Sequence, residues 1–301
     1  MTGATGYIGG SVGDALLRSG HEVTGLVRTR EGAREIEKQG MRPLLGTLDD
    51  AAIITKAARE AEAVIDTAEA NHPGVVDAIA AGLRGTSKFF LHTSGSGIVA
   101  TDARGEVVDA IYDEDSIFVP SFPRMVQRAA IDQVVFDCAK QGVRSVVVRP
   151  TMIYGGGRGV RKESAQVPAL IENAKPAGIG LHIGRGENRW SNVHIDDVVD
   201  LYLLALEKAP AGALYYAENG EEALKDVAAS ISRLLGFGGK TRNWSPAEAE
   251  AALGPKAHSS FASNSRVRAK RARAELSWKP KGAPIFEEIE RGHYRRVHGF
   301  R

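Results

Sequence analysis

The sequence predicts an α/β fold: a doubly wound parallel sheet followed by a smaller α/β cap. Three observations predict it. Short uninterrupted apolar runs alternate with helix-patterned stretches over residues 1–150, and strands that are apolar on both faces belong to parallel sheets covered by helices on both sides. Residues 2–10 read Thr-Gly-Ala-Thr-Gly-Tyr-Ile-Gly-Gly, a glycine-spaced turn opening a helix. After Arg149-Pro150 the rhythm breaks, and glycines cluster at 155–159.

In chain order, a helix at 11–19 leads to a strand at 23–27, a helix at 30–39, a strand at 44–45, a helix at 49–59 and a strand at 64–65. A helix at 74–83, a strand at 89–91, a helix at 124–140 and a strand at 145–148 complete the series. The strands are rich in Val, Ile, Leu and Phe, which fit a pleated, covered surface. The helices space their apolar residues three and four apart. Right-handed crossovers then place helices on both faces of one sheet. Beyond 155, the pattern predicts a helix at 196–208, a strand at 213–217, and helices at 221–235, 246–253, 266–276 and 284–296.

At roughly 150 residues per domain, a chain of 301 residues has room for two. A hydrophobic content of 43% with 25% charged residues suffices to bury a core and excludes disorder as the main state. Lys and Arg number 39 against 37 Asp and Glu, a net charge of +2, which argues against a dedicated nucleic-acid binder. The basic residues Arg266, Arg268, Lys270, Arg271 and Arg273 lack interleaved aromatics to stack bases. The basic tail at 291–301 is expected to fray. Cys138 is the only cysteine, so no intramolecular disulfide and no cysteine metal cluster is expected, and the compartment is read as reducing and cytoplasmic. The longest uncharged run, 89–101, has 13 residues, short of the roughly 20 that cross a membrane. The glycine-rich start lacks the basic and apolar regions of a signal peptide. His, Asp and Glu show no metal-ligand spacing, and no metal is expected.

Glycines 3, 6 and 9 carry the first chemistry. Gly3 permits the tight turn, Gly6 lets backbone approach a pyrophosphate, and Gly9 lets the helix pack on the sheet. The helix N-terminus then offers amide N–H groups to phosphate. The strand that should precede this loop is absent at the start of the sequence, and a few residues are expected to be missing there. The position that reads the adenosine ribose lies about 20 residues beyond the glycines. It holds Arg28, with Arg30 close by. A carboxylate there accepts a ribose hydroxyl, whereas a guanidinium fork matches a 2′-phosphate. NADP is therefore favoured over NAD, the alternative being that both arginines are solvated loop residues.

Five segments carry a family resemblance. They are Thr2-Gly3-Ala4-Thr5-Gly6-Tyr7-Ile8-Gly9, Leu45-Gly46-Thr47-Leu48-Asp49-Asp50, Phe90-Leu91-His92-Thr93-Ser94, Arg149-Pro150-Thr151-Met152-Ile153-Tyr154-Gly155 and Trp190-Ser191-Asn192-Val193-His194-Ile195-Asp196-Asp197. In this order they resemble the extended short-chain dehydrogenase/reductase superfamily, the nucleotide-sugar epimerases and dihydroflavonol-reductase-like enzymes. The likeness extends through 263–280 and covers essentially the whole chain. It implies a Rossmann domain over 1–155 and a substrate cap over 156–301, with 189–210 crossing back to the first domain. It also implies a cofactor site made by Gly3, Thr5, Gly6, Tyr7, Ile8, Gly9, Arg28, Arg30, Leu48, Asp49, Ala68, Pro150, Met152 and Ile153. Trp190, Arg185 and Arg189 are placed in the substrate pocket on the same ground, and helices 73–83 and 124–140 correspond to surfaces that members use for homodimers.

The family's chemistry uses Tyr-x-x-x-Lys on one helical face. Here the residues four beyond Tyr7, Tyr112, Tyr154, Tyr202, Tyr215, Tyr216 and Tyr294 are Ser11, Ser116, Arg158, Leu206, Asn219, Gly220 and His298. None is Lys. With Asp132 at the acidic position that commonly follows the pair, the pair itself reads Arg124 and Arg128. Arginine stays protonated and cannot exchange the proton. Arg128 is read as holding ribose hydroxyls and Arg124 as binding an acidic substrate, the alternative being two arginines on a solvated face. Ser94 is the candidate that orients a substrate oxygen, or else a strand-end hydroxyl capping a turn. Tyr112 and Tyr154 are further candidates for the proton, each weighed against a packing role. His92 is read as a buried, satisfied strand residue, and His194 with Asp196 and Asp197 as a helix cap. The sequence thus points to an NADP-dependent oxidoreductase acting on a carbonyl or alcohol carbon of a small molecule with a non-standard proton donor. The alternative is a non-catalytic NADP(H) sensor.

Overall fold

The computed structural model describes residues 1–299. Its first half alternates strand and helix: α1 (Tyr7–Arg18), β1 (Thr24–Val27), α2 (Arg30–Lys38), β2 (Arg42–Leu45), α3 (Ala51–Glu60), β3 (Ala63–Asp66), α4 (Pro73–Leu83), β4 (Phe89–Thr93), α5 (Pro123–Ala139) and β5 (Arg144–Pro150). There follow β6 (Met152–Tyr154), α6 (Gln166–Ala177), β7 (Gly180–Ile183), β8 (Arg189–His194), α7 (Ile195–Lys208) and β9 (Ala213–Ala217). The chain continues with β10 (Glu221–Ala223), α8 (Leu224–Leu234), β11 (Thr241–Trp244), α9 (Pro246–Leu253), α10 (Lys270–Glu275), α11 (Ile285–Glu290) and α12 (His293–His298). Residues 300 and 301 of the basic tail lie outside the described residues.

Strands β3, β4, β5 and β9 form one parallel sheet in the order β3-β4-β5-β9, and β1 pairs in parallel with β2. Between β1 and β3, where the first strand was expected, stand Met1 and Thr2. The Leu26 amide donates to the Met1 carbonyl at 2.9 Å, the Thr2 amide to Ile65 O at 3.1 Å, and the Met1 ammonium to Thr24 O at 2.6 Å. Two residues thus join the sheet halves. Burial pushes the Met1 ammonium down to about 6, against the attraction of Asp66.

Alternation along the strands decides which helices cover which face. Phe89, Leu91, Val146 and Val148 pack with α1, α2 and α7, while Phe90, Val147, Val64 and Leu214 pack with α3, α4 and α5. The first core also takes in Val193, α7, β9 and the stretch from Val267 to Trp278. The cap has its own core, built from α6, α8, α11 and the strand pairs β10-β8-β6 and β7-β11.

Three of the expected helices depart from the sequence pattern, and α6, β6, β7, β8 and β11 were not expected from it. The expected helix 221–235 begins as β10, because Glu221–Ala223 pairs antiparallel with β8 before α8 starts. The expected helix 266–276 shortens to Lys270–Glu275, because Val267 bridges to Tyr112. The expected helix 284–296 splits at Gly292, where the Glu288 carboxylate accepts from the His293 amide at 2.8 Å. Among the described residues no helix is long and apolar enough to cross a membrane.

Candidate active site

Parallel sheets gather function at the C-terminal ends of their strands. The loop after Thr2, Arg28 after β1, Leu48 and Asp49 after β2, Ala68 after β3, Ser94 after β4 and Pro150 at the end of β5 all lie there. Gly3 turns the chain with φ +67°, and a Cβ on Gly9 would sit 2.2 Å from the Gly3 carbonyl oxygen. Gly6 is the N-cap of α1, with no side chain capping the helix and no acidic residue in its first turn. The first N–H groups of α1 have no helical acceptor, so this end presents donors to an anion. These residues fit a dinucleotide pyrophosphate.

The loop at 155–159 is clamped onto α1. The Tyr7 hydroxyl donates to Gly155 O at 2.8 Å, and the Arg158 amide donates to Ser11 Oγ at 3.0 Å. Gly10 and Gly159 meet backbone to backbone, where a Cβ on Gly159 would lie 2.3 Å from Gly10 Cα. The Tyr7 side chain therefore fixes the loop, and its backbone lies in the first turn of α1. Arg28 and Arg30 are exposed. Asp49 faces His72 at 3.1 Å.

A cavity of about 520 Å³ is lined by Ile8, Ser94, Arg124, Arg128, Pro150, Ile153 and Trp190, with Met125, Gln166, Lys256 and Phe261 from α5 and the cap. It brings the glycine end, the end of β4 and the pair of arginines to one wall. Arg128 donates to Asn71 Oδ1 from Nε at 3.2 Å and from Nη2 at 2.6 Å. Arg124 donates to the same oxygen at 3.2 Å and pairs with Glu69 at 2.8 Å. Burial, with the neighbouring Arg124 charge, lowers the Arg128 guanidinium from its ordinary value. Asn71, Gln166 and Lys256 escaped the sequence reading, since nothing in their local pattern separates them from ordinary polar loop and helix residues.

Five expected residues stand elsewhere. Tyr112 packs edge-on against Phe118, with ring centroids 6.1 Å apart, and is not among the cavity's lining residues. Tyr154 is fully buried and donates its hydroxyl to Ala283 O at 2.9 Å, and burial raises its phenol far above the ordinary value. Met152 points into the core of the cap. Arg185 pairs with Glu187 at 2.9 Å and Arg189 faces Glu221 at 3.9 Å, both off the cavity lining. Trp190 lines the cavity, held by its indole N–H on Ser263 O at 2.9 Å. The cap of α7 is the His194 ring, which accepts from the Asp196 amide at 3.1 Å. Asp196 instead pairs with Arg158, and Asp197 accepts from the Lys281 and Gly282 amides. Exchanging Tyr112 or Tyr154 for Phe is expected to leave NADPH affinity within twofold in a fluorescence titration. Tyr154→Phe should also lower stability by about 1 kcal/mol, the usual net worth of a hydrogen bond, read by melting.

Behind Ser94 lies a buried polar chain. Ser94 Oγ donates to Asp132 Oδ2 at 3.0 Å. Arg149 donates to the same oxygen from Nε at 2.9 Å, and its Nη1 reaches the Tyr216 hydroxyl at 3.2 Å. His92 Nδ1 contacts Asp66 Oδ2 at 2.8 Å, and the Thr2 hydroxyl donates to Asp66 Oδ1. Burial penalises the Asp66 carboxylate, yet the His92 and Thr2 hydrogen bonds outweigh it and hold the group below the usual carboxylate range. The sequence reading of His92 as buried holds, but its Nε2 has no hydrogen-bond partner.

Comparison with known proteins agrees with this architecture. Relatives include the oxidase ucsJ of Acremonium sp., 32% identical over 96% of this chain and 94% of that protein. Another is the 4-hydroxy-2-methyl-3-oxo-4-farnesyl-3,4-dihydroquinoline-1-oxide ketoreductase of Stigmatella aurantiaca, 26% identical over 73% of this chain and 67% of that protein. A UDP-glucose 4-epimerase from Thermotoga maritima, solved with UDP-glucose, shares the fold with a TM-score of 0.77 at 20% identity, covering 98% of each chain. The model of the NAD-dependent epimerase/dehydratase family matches residues 1–216, which hold the glycine turn, the Ser94 strand end and the Trp190 segment. The chain belongs to the NAD-dependent epimerase/dehydratase family.

Proposed function

We propose that this protein is an NADP-dependent oxidoreductase of the atypical extended short-chain type, acting on the carbonyl or alcohol carbon of a small molecule. One observation carries the reading: Ser94 opens into the same cavity as Ile8 of the first turn of α1 and as Pro150 and Ile153. A substrate oxygen on Ser94 then stands beside the segment expected to face nicotinamide. The nicotinamide, when bound, supplies or takes the hydride. The chain's own part is to orient the substrate oxygen at Ser94 Oγ, to hold ribose hydroxyls with Arg128, and to exclude water with Trp190, Met125 and Phe261. The charged residues that line the cavity are Arg124, Arg128 and Lys256, which favours a substrate bearing an anionic group. Relatives named as an oxidase and a ketoreductase support redox chemistry on an oxygen-bearing carbon.

NADPH is expected to bind at least tenfold tighter than NADH, about 1.4 kcal/mol, in fluorescence titrations at one ionic strength. Arg28→Ser should erase that preference by weakening NADPH alone. NADPH oxidation should follow with a carbonyl panel of aromatic aldehydes, keto acids and 9,10-phenanthrenequinone, and should fall by roughly two orders of magnitude in Ser94→Ala, as for loss of an acid–base group. Tight NADPH binding with no turnover across the panel would favour a sensor, and equal NADH affinity would remove the 2′-phosphate reading.

A further inference from the structure

No tyrosine of this sequence is followed by lysine four residues on, so the proposed reaction asks for a proton from another group. Two buried atoms point to it. His92 Nε2 and Asp132 Oδ1 face each other 3.9 Å apart, and neither has a hydrogen-bond partner among the described residues. Both side chains are about 1% exposed. Orphaned polar atoms of this kind are costly, and an approach of about 1 Å would bring the facing pair within the hydrogen-bond reach that proton transfer requires. The charge count agrees. Asp66 and Arg149 cancel, and Asp132 adds one negative charge, so a single proton placed on either His92 or Asp132 brings the buried set to zero. A neutral total is the state that burial favours.

We propose that Asp132 relays the proton of the reaction between His92, which holds it, and Ser94, with Asp66 fixing the His92 ring. This rests on the oxidoreductase reading above. In reduction, for which a bound nicotinamide would supply the hydride to the carbonyl carbon, the Ser94 hydroxyl gives its proton to the substrate oxygen. Ser94 recovers a proton from Asp132 Oδ2 as Asp132 Oδ1 takes the second ring proton of His92, and the carboxylate stays held by Arg149. Water entering the cavity at Ser94 returns the proton consumed. In oxidation each proton transfer runs backwards: the alcohol proton goes to Ser94 and the Ser94 proton passes through Asp132 to His92, while a bound oxidised nicotinamide would take the hydride. The hydrogen bond from Ser94 Oγ to Asp132 Oδ2 is already aligned for the second direction. Asp132 is thus a positioning and proton-relaying residue, His92 holds the proton, and Ser94 is the group that touches substrate.

Other charges surround this set. Arg128 lies one turn before Asp132 on α5 and feels its charge. The Met1 ammonium and Tyr202 lie near Asp66. Tyr216 separates Arg149 from Glu114, whose carboxylate accepts from the Tyr216 amide at 3.2 Å. None of them bonds the two orphaned atoms.

The test has an arm that needs no substrate. In full-length protein labelled with ¹⁵N-histidine, with the His92 signals assigned by His92→Gln, His92 should carry its second ring proton at neutral pH in the wild type and lose it in Asp132→Asn. The same protonation state in both would overturn the proposal. The second arm follows NADPH-dependent reduction of 9,10-phenanthrenequinone. Asp132→Asn should lower kcat at least 100-fold and flatten its pH profile with NADPH affinity held near wild type, its melting temperature falling because Arg149 loses its buried partner, while Asp132→Glu, which keeps the charge, should rescue both in part. His92→Gln leaves the Arg149–Asp132 pair in place and should move the pH profile while keeping the fold. An unmoved profile in His92→Gln, or an Asp132→Asn enzyme within threefold of wild type, would also overturn the proposal. A wild type that binds NADPH but reduces no probe counts against the reductase reading, and the histidine spectra still decide the proton-holding pair.

Discussion

Gly9→Ala is expected to raise the NADPH dissociation constant at least 100-fold, about 2.7 kcal/mol, while Gly32→Ala leaves it within twofold. Both add one methyl group near the expected cofactor end, and only the surroundings differ. A Cβ on Gly9 would lie 2.2 Å from Gly3 O and 2.4 Å from Thr67 Oγ1. Neither atom yields cheaply. Gly3 O belongs to a turn already held at φ +67°, and Thr67 Oγ1 is tied to Thr2 O at 2.9 Å. The turn must therefore move away from α1, and the amide donors of the first turn move with it. A Cβ on Gly32 would meet nothing nearer than 3.4 Å, an ordinary contact. Fluorescence titration reads the affinity, and circular dichroism melting confirms that each variant is folded. A folded Gly9→Ala protein that keeps wild-type affinity would show that the phosphates bind elsewhere.

Much of the fold was legible because the main sheet is built from residues that decide locally. Phe89-Phe90-Leu91 and Val146-Val147-Val148 read as covered strands and alternate between the two helical faces as the pleat requires. The cap was less legible because its strands are made by distant partners. Glu221–Ala223 continues the polar face of α8 in sequence and becomes a strand only by pairing with β8. Arg189–His194 carries polar residues throughout and is ordered by β6, β10 and the Ser265 bridge. The site divides the same way. Ile8, Ser94, Pro150 and Ile153, which line the cavity, were legible as candidates because the glycine turn and the segments 90–94 and 149–155 carry the family resemblance. Tyr112 and Tyr154 were misjudged because what occupies them lies far along the chain, Val267 for the first and Ala283 for the second. The Asp66–His92–Asp132–Arg149 set spans β3, β4, α5 and β5, and no spacing within one segment announces it.

Arg149→Met is expected to cost about 3–5 kcal/mol, the usual penalty for removing one partner of a buried ion pair. At roughly 2–4 °C per kcal/mol for a chain of this size, the melting temperature should fall by about 10 °C. The guanidinium is 6% exposed and Asp132 1% exposed, so water cannot replace the lost donors. The Tyr216 hydroxyl loses its partner in the same step. The double variant Arg149→Met/Asp132→Asn should recover most of the loss, because removing both charges leaves none uncompensated. Scanning calorimetry of the two single variants and the double variant closes the cycle. If the double variant is as unstable as Arg149→Met alone, the cost lies in the packing of the arginine against Tyr216 and Phe118 rather than in an unpaired Asp132 charge. The large coupling is the expected result, since Asp132 already receives both the Ser94 hydroxyl and the Arg149 fork on a single oxygen, with the His92 ring beyond bonding distance of the other.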